Sequence, residues 1–272
     1  MKTRIITGVL GGLFLVALII NSGLLLELFV ALLISIGVWE YHKLTKATGI
    51  KTSYPLMVGI GLTYYITQVV FVRFERSFIL FNNIGILFFL TVLGSFFITH
   101  NQLEAKDFLS SVAANLFGVV YPGVLFTYII LIREISAPFG WQVLLFLFAT
   151  IWGNDTGAYF IGSFLGKTPL APKISPKKTV EGALGGLFLG ALAGSALGII
   201  FHLPLSIIPL SLVIGIIGQI GDLLESQIKR GAGIKDSGWI VLGHGGVLDR
   251  FDSILLALPF LYYFISFIIR PG

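Results

Sequence analysis

The 272-residue sequence is 56% hydrophobic and only 11% charged, where soluble domains are roughly a quarter charged. That balance excludes a soluble globular domain, and the absence of cysteine excludes disulfides, thiolate metal sites and cysteine nucleophiles. The formal net charge of +5 fits basic loops beside a membrane and gives no reason to expect nucleic acid as a partner.

The length accommodates several spans with their loops but no separate large soluble domain. One membrane domain, 1–272, is expected. The N-terminal Lys2-Thr3-Arg4 followed by an apolar run imitates a signal peptide. No A-x-A-like cleavage site follows it, so it reads as a retained first span. A bilayer crossing needs about 20 apolar residues. Nine segments qualify: 5–21, 24–41, 54–72, 78–99, 108–132, 141–164, 183–201, 205–224 and 251–269. The expected fold is therefore an all-α, polytopic helical bundle with about nine transmembrane helices.

Lys and Arg are distributed unevenly over the alternate loops. One side holds 14 of the 18 basic residues, and the other holds Arg73, Arg76, Arg133 and Arg270. Cytoplasmic loops carry the excess, which places the N-terminus in the cytoplasm. Only the loops 165–182 and 225–250 are long enough to hold chemistry, and both fall on the cytoplasmic side.

Chain order brings the sixth span first. It contains Trp152-Gly153-Asn154-Asp155-Thr156, and an acid inside an apolar segment is a candidate functional group. A packing hydrogen bond between helices is the alternative. The next loop, Lys173 to Gly182, offers Ser175, Lys177, Lys178 and Thr179 ahead of a helix N-terminus, which favours anions. Lys167 and Lys173 are weaker candidates and suit a lipid-facing position. At the end of the eighth span, Asp222 and Glu225 stand three residues apart.

The loop that follows carries Lys229, Arg230 and Lys235 among glycines, a set able to surround a polyphosphate. The run Gly243-His244-Gly245-Gly246-Val247-Leu248-Asp249-Arg250-Phe251-Asp252 has glycines that allow close backbone approach to a ligand. A helix there puts Asp249 and Asp252 on one face. Carboxylates at a membrane boundary need positive compensation, from Arg250 or from a divalent metal. Asp222 and Asp249 are the expected ligands. All-oxygen ligation suits Mg²⁺, and a second cation is left open. His244 is a general base, a phosphate donor or a structural group.

The run S-x-x-K-R-x4-K-D-S-G from Ser226, followed by G-H-G-G-x-x-D-R-x-D to Asp252, closely resembles the pattern of the phosphatidate cytidylyltransferases, or CDP-diacylglycerol synthases. Asn154-Asp155-Thr156, Gly166-Lys167, Ser175-Pro176-Lys177-Lys178-Thr179 and Glu181-Gly182 are similar to that family too. Val241-Leu242 departs from it, since leucine and proline usually stand there. The resemblance is specific from about Trp152 to Ser253.

It implies transfer of CMP from CTP to phosphatidic acid, with Mg²⁺, at the cytoplasmic (inner) membrane, by a homodimer in contact with membrane lipids. It implies catalytic roles for Asp249, Lys229, Arg230, Asp252 and His244. Ser175, Lys177, Lys178, Thr179, Glu181, Lys235, Asp236 and Asp155 are the implied substrate-binding residues. Two alternatives compete with this reading. A CTP-dependent polyprenol or phytol kinase would use similar spans and move the γ-phosphate. An anion transporter would use Asp155 and the basic loops as a pathway, yet paired interrupted segments in two halves are not seen.

Overall fold

Apolar runs with no way to satisfy backbone groups in lipid fold as helices, because each N–H and C=O then finds its partner within the segment. The computed structural model describes residues 2–74, 84–99, 104–135, 139–238 and 245–269. Its helices are α1 (Lys2–Asn21), α2 (Leu24–Ala47), α3 (Tyr54–Phe74), α4 (Ile84–Thr99), α5 (Ala105–Gly118), α6 (Tyr128–Ile135), α7 (Gly140–Leu165), α8 (Val180–Ile200), α9 (Ile207–Gly231) and α10 (Leu248–Ile269). Six helical stretches among the described residues are long and apolar enough to cross a bilayer: Leu24–Ala47, Tyr54–Arg73, Lys106–Glu134, Val180–Ile200, Ile207–Gly231 and Leu248–Phe267. Gly8–Asn21 and Gly85–Ile98 are shorter apolar helices. The fold is an all-α, multi-span helical bundle.

Several boundaries differ from the sequence reading. The expected fifth span is not one regular helix. Between α5 and α6, Val119–Val124 widens into a π-helical turn and Leu125–Thr127 tightens into a 3-10 turn. Pro122 lies inside the widened turn; it lacks an N–H and so cannot continue the regular ladder. The loop expected at 165–182 contains an antiparallel hairpin, β1 (Pro169–Ala171) with β2 (Ser175–Thr179). The loop expected from 225 is helical as far as Gly231. Nothing between Leu224 and Arg230 breaks a helix, and Glu225 and Lys229 form an i,i+4 ion pair within it.

The chain divides into two compact units. The first is Met1–Leu131 with Gly231–Arg250, and the second is Ile132–Arg230 with Phe251–Gly272. In the first, α2 buries Val30, Ile34 and Val38 completely. Several of its buried polar groups pair with one another. Asn115, fully buried on α5, donates to Ser95 Oγ and accepts from the Ser53 N–H, and the Tyr41 hydroxyl donates to the Ala114 carbonyl.

In the second unit, α7 and α8 pack along a ladder of buried glycines, Gly182, Gly186, Gly190, Gly194 and Gly198. A methyl group added at Gly190 would stand 2.7 Å from the Thr150 carbonyl oxygen, and one at Gly186 2.7 Å from that of Asn154. Small residues at four-residue spacing let two backbones approach this closely. Gln219 of α9 joins the pair by donating from Nε2 to Asn154 Oδ1 and to the Ala183 carbonyl, both at 2.9 Å.

Candidate active site

The second unit contains a cavity of 380 Å³ lined by parts of α7, β2, α8 and α9, among them Asp155, Lys177, Lys178, Thr179, Gln219 and Asp222. Each side chain reaches it for a local reason. Thr179 ends β2 and caps α8, its Oγ1 accepting from the Gly182 N–H at 3.1 Å. That cap fixes where the strand stops and leaves Lys177 and Lys178 on the residues just before it. Glu181, in the first turn of α8, accepts from the backbone N–H groups of Lys167 and Thr168 and from the Thr168 hydroxyl. It holds the entry of the hairpin against the helix and so turns toward the chain itself.

The charges alternate along the cavity wall. Lys178 Nζ lies 2.5 Å from Asp222 Oδ2, with both side chains about a third exposed. Ser226, one turn further along α9, donates to the other Asp222 oxygen at 3.4 Å. Asp252 on α10 lies within the electrostatic reach of Asp222, Asp155 and Lys229. Gly221 makes that approach possible, because a methyl group there would stand 2.5 Å from the Asp252 carbonyl oxygen. Lys229 is buried and pairs with fully buried Glu225, while exposed Arg230 donates from Nε to the Ile174 carbonyl at 3.1 Å, tying α9 to the hairpin. Ser175 begins β2 and is half-buried.

The structure thus brings Asp155, Lys177, Lys178, Thr179 and Asp222 to one cavity, with Asp252 and Lys229 charged against the same group. Lys235 and Asp236 are exposed beyond the end of α9. Val241, Leu242, Gly243 and His244 lie outside the described residues.

Asp249 belongs to the first unit, and its surroundings are of another kind. Its Oδ2 accepts from the Ser237 N–H at 2.9 Å, the Ser237 hydroxyl at 3.0 Å and the Gly246 N–H at 2.8 Å. These three donors to Oδ2 are neutral, and Arg250 is exposed. The glycines of the run are approached by the chain's own carboxylates. A methyl group on Gly245, which has φ +86°, would stand 2.6 Å from Asp249 Oδ2, and one on Gly246 2.5 Å from both Glu40 oxygens.

Glu40 went unread in the sequence. It is fully buried on α2 and accepts from Val247 N–H, Leu248 N–H and the Ser237 hydroxyl. The available signal was the one that singled out Asp155, an acid within an apolar run. A span ending at residue 41 made Glu40 look like a boundary residue, whereas α2 continues to Ala47.

For a divalent cation, the donor set suits a hard ion: Asp222, Asp252 and Asp155 supply oxygens, and no thiolate is present. Among the described residues no group of three His, Asp or Glu closes on a metal by itself. That arrangement fits Mg²⁺, which usually binds through one or two carboxylates plus water and substrate phosphates.

The family model described as "Cytidylyltransferase family" matches residues 2–268. A phosphatidate cytidylyltransferase of Bacillus subtilis is 34% identical over 271 residues, covering 98% of each chain. That of Synechocystis is 32% identical over 291 residues, covering 96% of this chain and 95% of its own. That of Staphylococcus epidermidis is 34% identical over 269 residues, covering 96% and 97%. The match runs through the cavity residues and the Gly245–Asp252 run alike, and the chain belongs to the cytidylyltransferase family.

Proposed function

We propose that the chain transfers CMP from CTP to phosphatidate, giving CDP-diacylglycerol and pyrophosphate for phospholipid biosynthesis. The observation that carries this reading is the cavity in which Lys177, Lys178 and Asp222 share a wall, in a chain similar over almost its whole length to phosphatidate cytidylyltransferases. A lipid phosphate oxygen forms a bond to the α-phosphorus of CTP. The bond from that phosphorus to the oxygen of the β-phosphate breaks, and pyrophosphate leaves with the electron pair. Phosphate is already anionic near neutral pH, so no strong general base is needed.

The demand on the protein is to bring two anions together. Lys177 and Lys178, with Ser175 and Thr179, contact the nucleotide. Lys229, Arg230 and Lys235 hold phosphates, and oriented cations of this kind act on the charge of the transition state. Lys178 is held ready by Asp222, and an arriving phosphate competes for the same ammonium. When bound, Mg²⁺ supplies charge neutralisation and orients phosphate oxygens. Asp222 and Asp249, the ligands expected from the sequence, would hold it, with Asp252 and Asp155 in support, and a second cation is left open. Asp249 also holds the backbone at Ser237 and Gly246 through the N–H groups its Oδ2 accepts.

The 14-to-4 distribution of basic residues supports a cytoplasmic N-terminus and a cytoplasmic site in the inner membrane, with CTP arriving from the cytoplasm and the lipid laterally. A homodimer is the assembly that goes with the family resemblance.

The test is incubation of the purified chain with phosphatidate, Mg²⁺ and CTP labelled separately at the α- and γ-phosphates. The expected result is α-label in lipid and γ-label in pyrophosphate, with no product from diacylglycerol and reversal by excess pyrophosphate. Transfer of γ-label into lipid would instead make the chain a lipid kinase. Incorporation of neither label, with solute moving across sealed vesicles, would make it a transporter.

A further inference from the structure

Glu40 lies about 200 residues before the groups it binds, the separations to Ser237, Val247 and Leu248 being 197, 207 and 208. A carboxylate with no exposed surface is costly unless donors meet it. Here all three donors come from one short segment. Its Oε1 takes the Val247 N–H at 2.9 Å, and its Oε2 takes the Leu248 N–H at 2.8 Å and the Ser237 hydroxyl at 3.0 Å. Val247 and Leu248 are the residues at which α10 begins, so their N–H groups are among those a helix cannot satisfy itself. An acid from α2 therefore caps α10 from outside, with the favourable sign for a helix N-terminus.

The same Ser237 hydroxyl also lies 3.0 Å from Asp249 Oδ2. One hydroxyl proton is thus shared between two carboxylates. Gly246 has no room for a side chain, because both Glu40 oxygens and Ser237 Oγ already occupy the place of its Cβ. The contacts run from α2 through Ser237 to Asp249, and one helical turn beyond Asp249 on α10 stands Asp252.

We infer that Glu40 is a positioning residue for the cytidylyl transfer: it fixes the start of α10 and the Ser237 hydroxyl, and thereby the setting of Asp249 and Asp252. This rests on the reaction proposed above. Glu40 touches neither substrate nor metal in this role. Its loss acts on turnover and leaves CTP affinity nearly unchanged.

The experiment uses the full chain in detergent, with Glu40→Gln, Ser237→Ala and the double variant. Two quantities are read: kcat and KM from α-labelled CTP, and backbone hydrogen exchange. Glu40→Gln keeps the shape and one carbonyl acceptor but turns an NH2 toward an N–H donor. The expected result is a fall in kcat of about 10- to 100-fold, the scale for residues that orient a site. KM for CTP stays within about threefold, on the same scale. Exchange should speed up at Val247 and Leu248 and not across α3, which separates local loosening from general unfolding. The double variant should fall no further than the worse single one.

Unchanged exchange at Val247 and Leu248 overturns the anchoring role, whatever the activity. Faster exchange there with unaltered kcat overturns the link to the reaction, as does a double variant whose loss is the product of the two single losses. Should Glu40→Gln not fold, Glu40→Asp draws the carboxylate back from the same N–H groups, and exchange at Val247 and Leu248 as slow as in the unsubstituted chain overturns the anchoring. If the unsubstituted chain itself puts no α-label into lipid, the reaction reading fails, and the exchange measurements still decide the anchoring on their own.

Discussion

Glu40 and Asp249 of the first unit do different work from Asp155 and Asp222 of the second. In the first unit, Glu40 and Asp249 are turned onto the chain's own N–H and hydroxyl donors at Ser237, Gly246, Val247 and Leu248. In the second unit, Asp155 and Asp222 line one cavity with Lys177 and Lys178, on a hairpin and helices with regular backbone hydrogen bonding. Irregular backbone near a membrane needs internal partners for every N–H, which consumes carboxylate oxygens. Regular helices satisfy most of their own N–H groups, and Asp222 within α9 pairs with the Lys178 ammonium. The comparison teaches that an acidic motif residue is not by that fact a ligand.

The largest expected effect sharpens that division. Asp222→Asn removes a carboxylate that faces cations and leaves the backbone untouched. It should lower kcat by roughly 100- to 1000-fold, the scale of a lost electrostatic contact in the transition state. The thermal midpoint of the purified protein should stay nearly the same. A large drop in that midpoint with kcat preserved would make Asp222 a purely structural residue and erase the contrast.

A smaller effect tests the scaffold beneath the cavity. Gly190→Ala adds a methyl group that would stand 2.7 Å from the Thr150 carbonyl oxygen and 2.9 Å from Asn154 Cβ. The first neighbour is backbone, so α7 and α8 must move apart. Overpacking of this kind costs about 1–3 kcal/mol. The check is a lower thermal midpoint together with a raised KM for CTP, because α7 and α8 form two walls of the cavity. An unchanged midpoint would mean that the helix pair tolerates separation and that the glycine ladder is not what holds it.

Much of this arrangement was legible in the residues. Hydropathy located the apolar helices, and the motif residues Asp155, Lys177, Lys178 and Asp222 do line one cavity. What escaped was set by partners distant in sequence. The hairpin at 169–179 has too few residues to show a strand pattern, and it stands because Glu181 and Thr179 brace it. The π-helical turn could be suspected from Pro122 but not located, since its width depends on packing against Gly61, where an added methyl would stand 3.2 Å from Gly123 Cα. Asp249 and Asp222 looked equivalent because spacing along the chain says nothing of which donors fold back onto each. Glu40 was missed because its role depends on donors nearly 200 residues away.

The smallest prediction is a control that makes the glycine argument specific. Gly59 sits within α3, and a Cβ added there meets nothing within 4 Å. Glycine within a helix has more conformational freedom to lose on folding than alanine, and is less stable there by roughly 0.5–1 kcal/mol. Gly59→Ala should therefore leave kcat and KM as they are and leave the thermal midpoint equal or slightly raised. Gly59 also borders a small apolar cavity of 130 Å³ lined by Tyr64 and Leu87, so the methyl group crowds nothing. Gly190→Ala and Gly59→Ala make the same chemical change in helices of similar length, so propensity alone predicts the same small gain at both. Opposite signs at the two positions would attribute the cost at Gly190 to its closeness to the Thr150 carbonyl. Equal signs would mean that the α7–α8 approach contributes nothing that a methyl group can disturb.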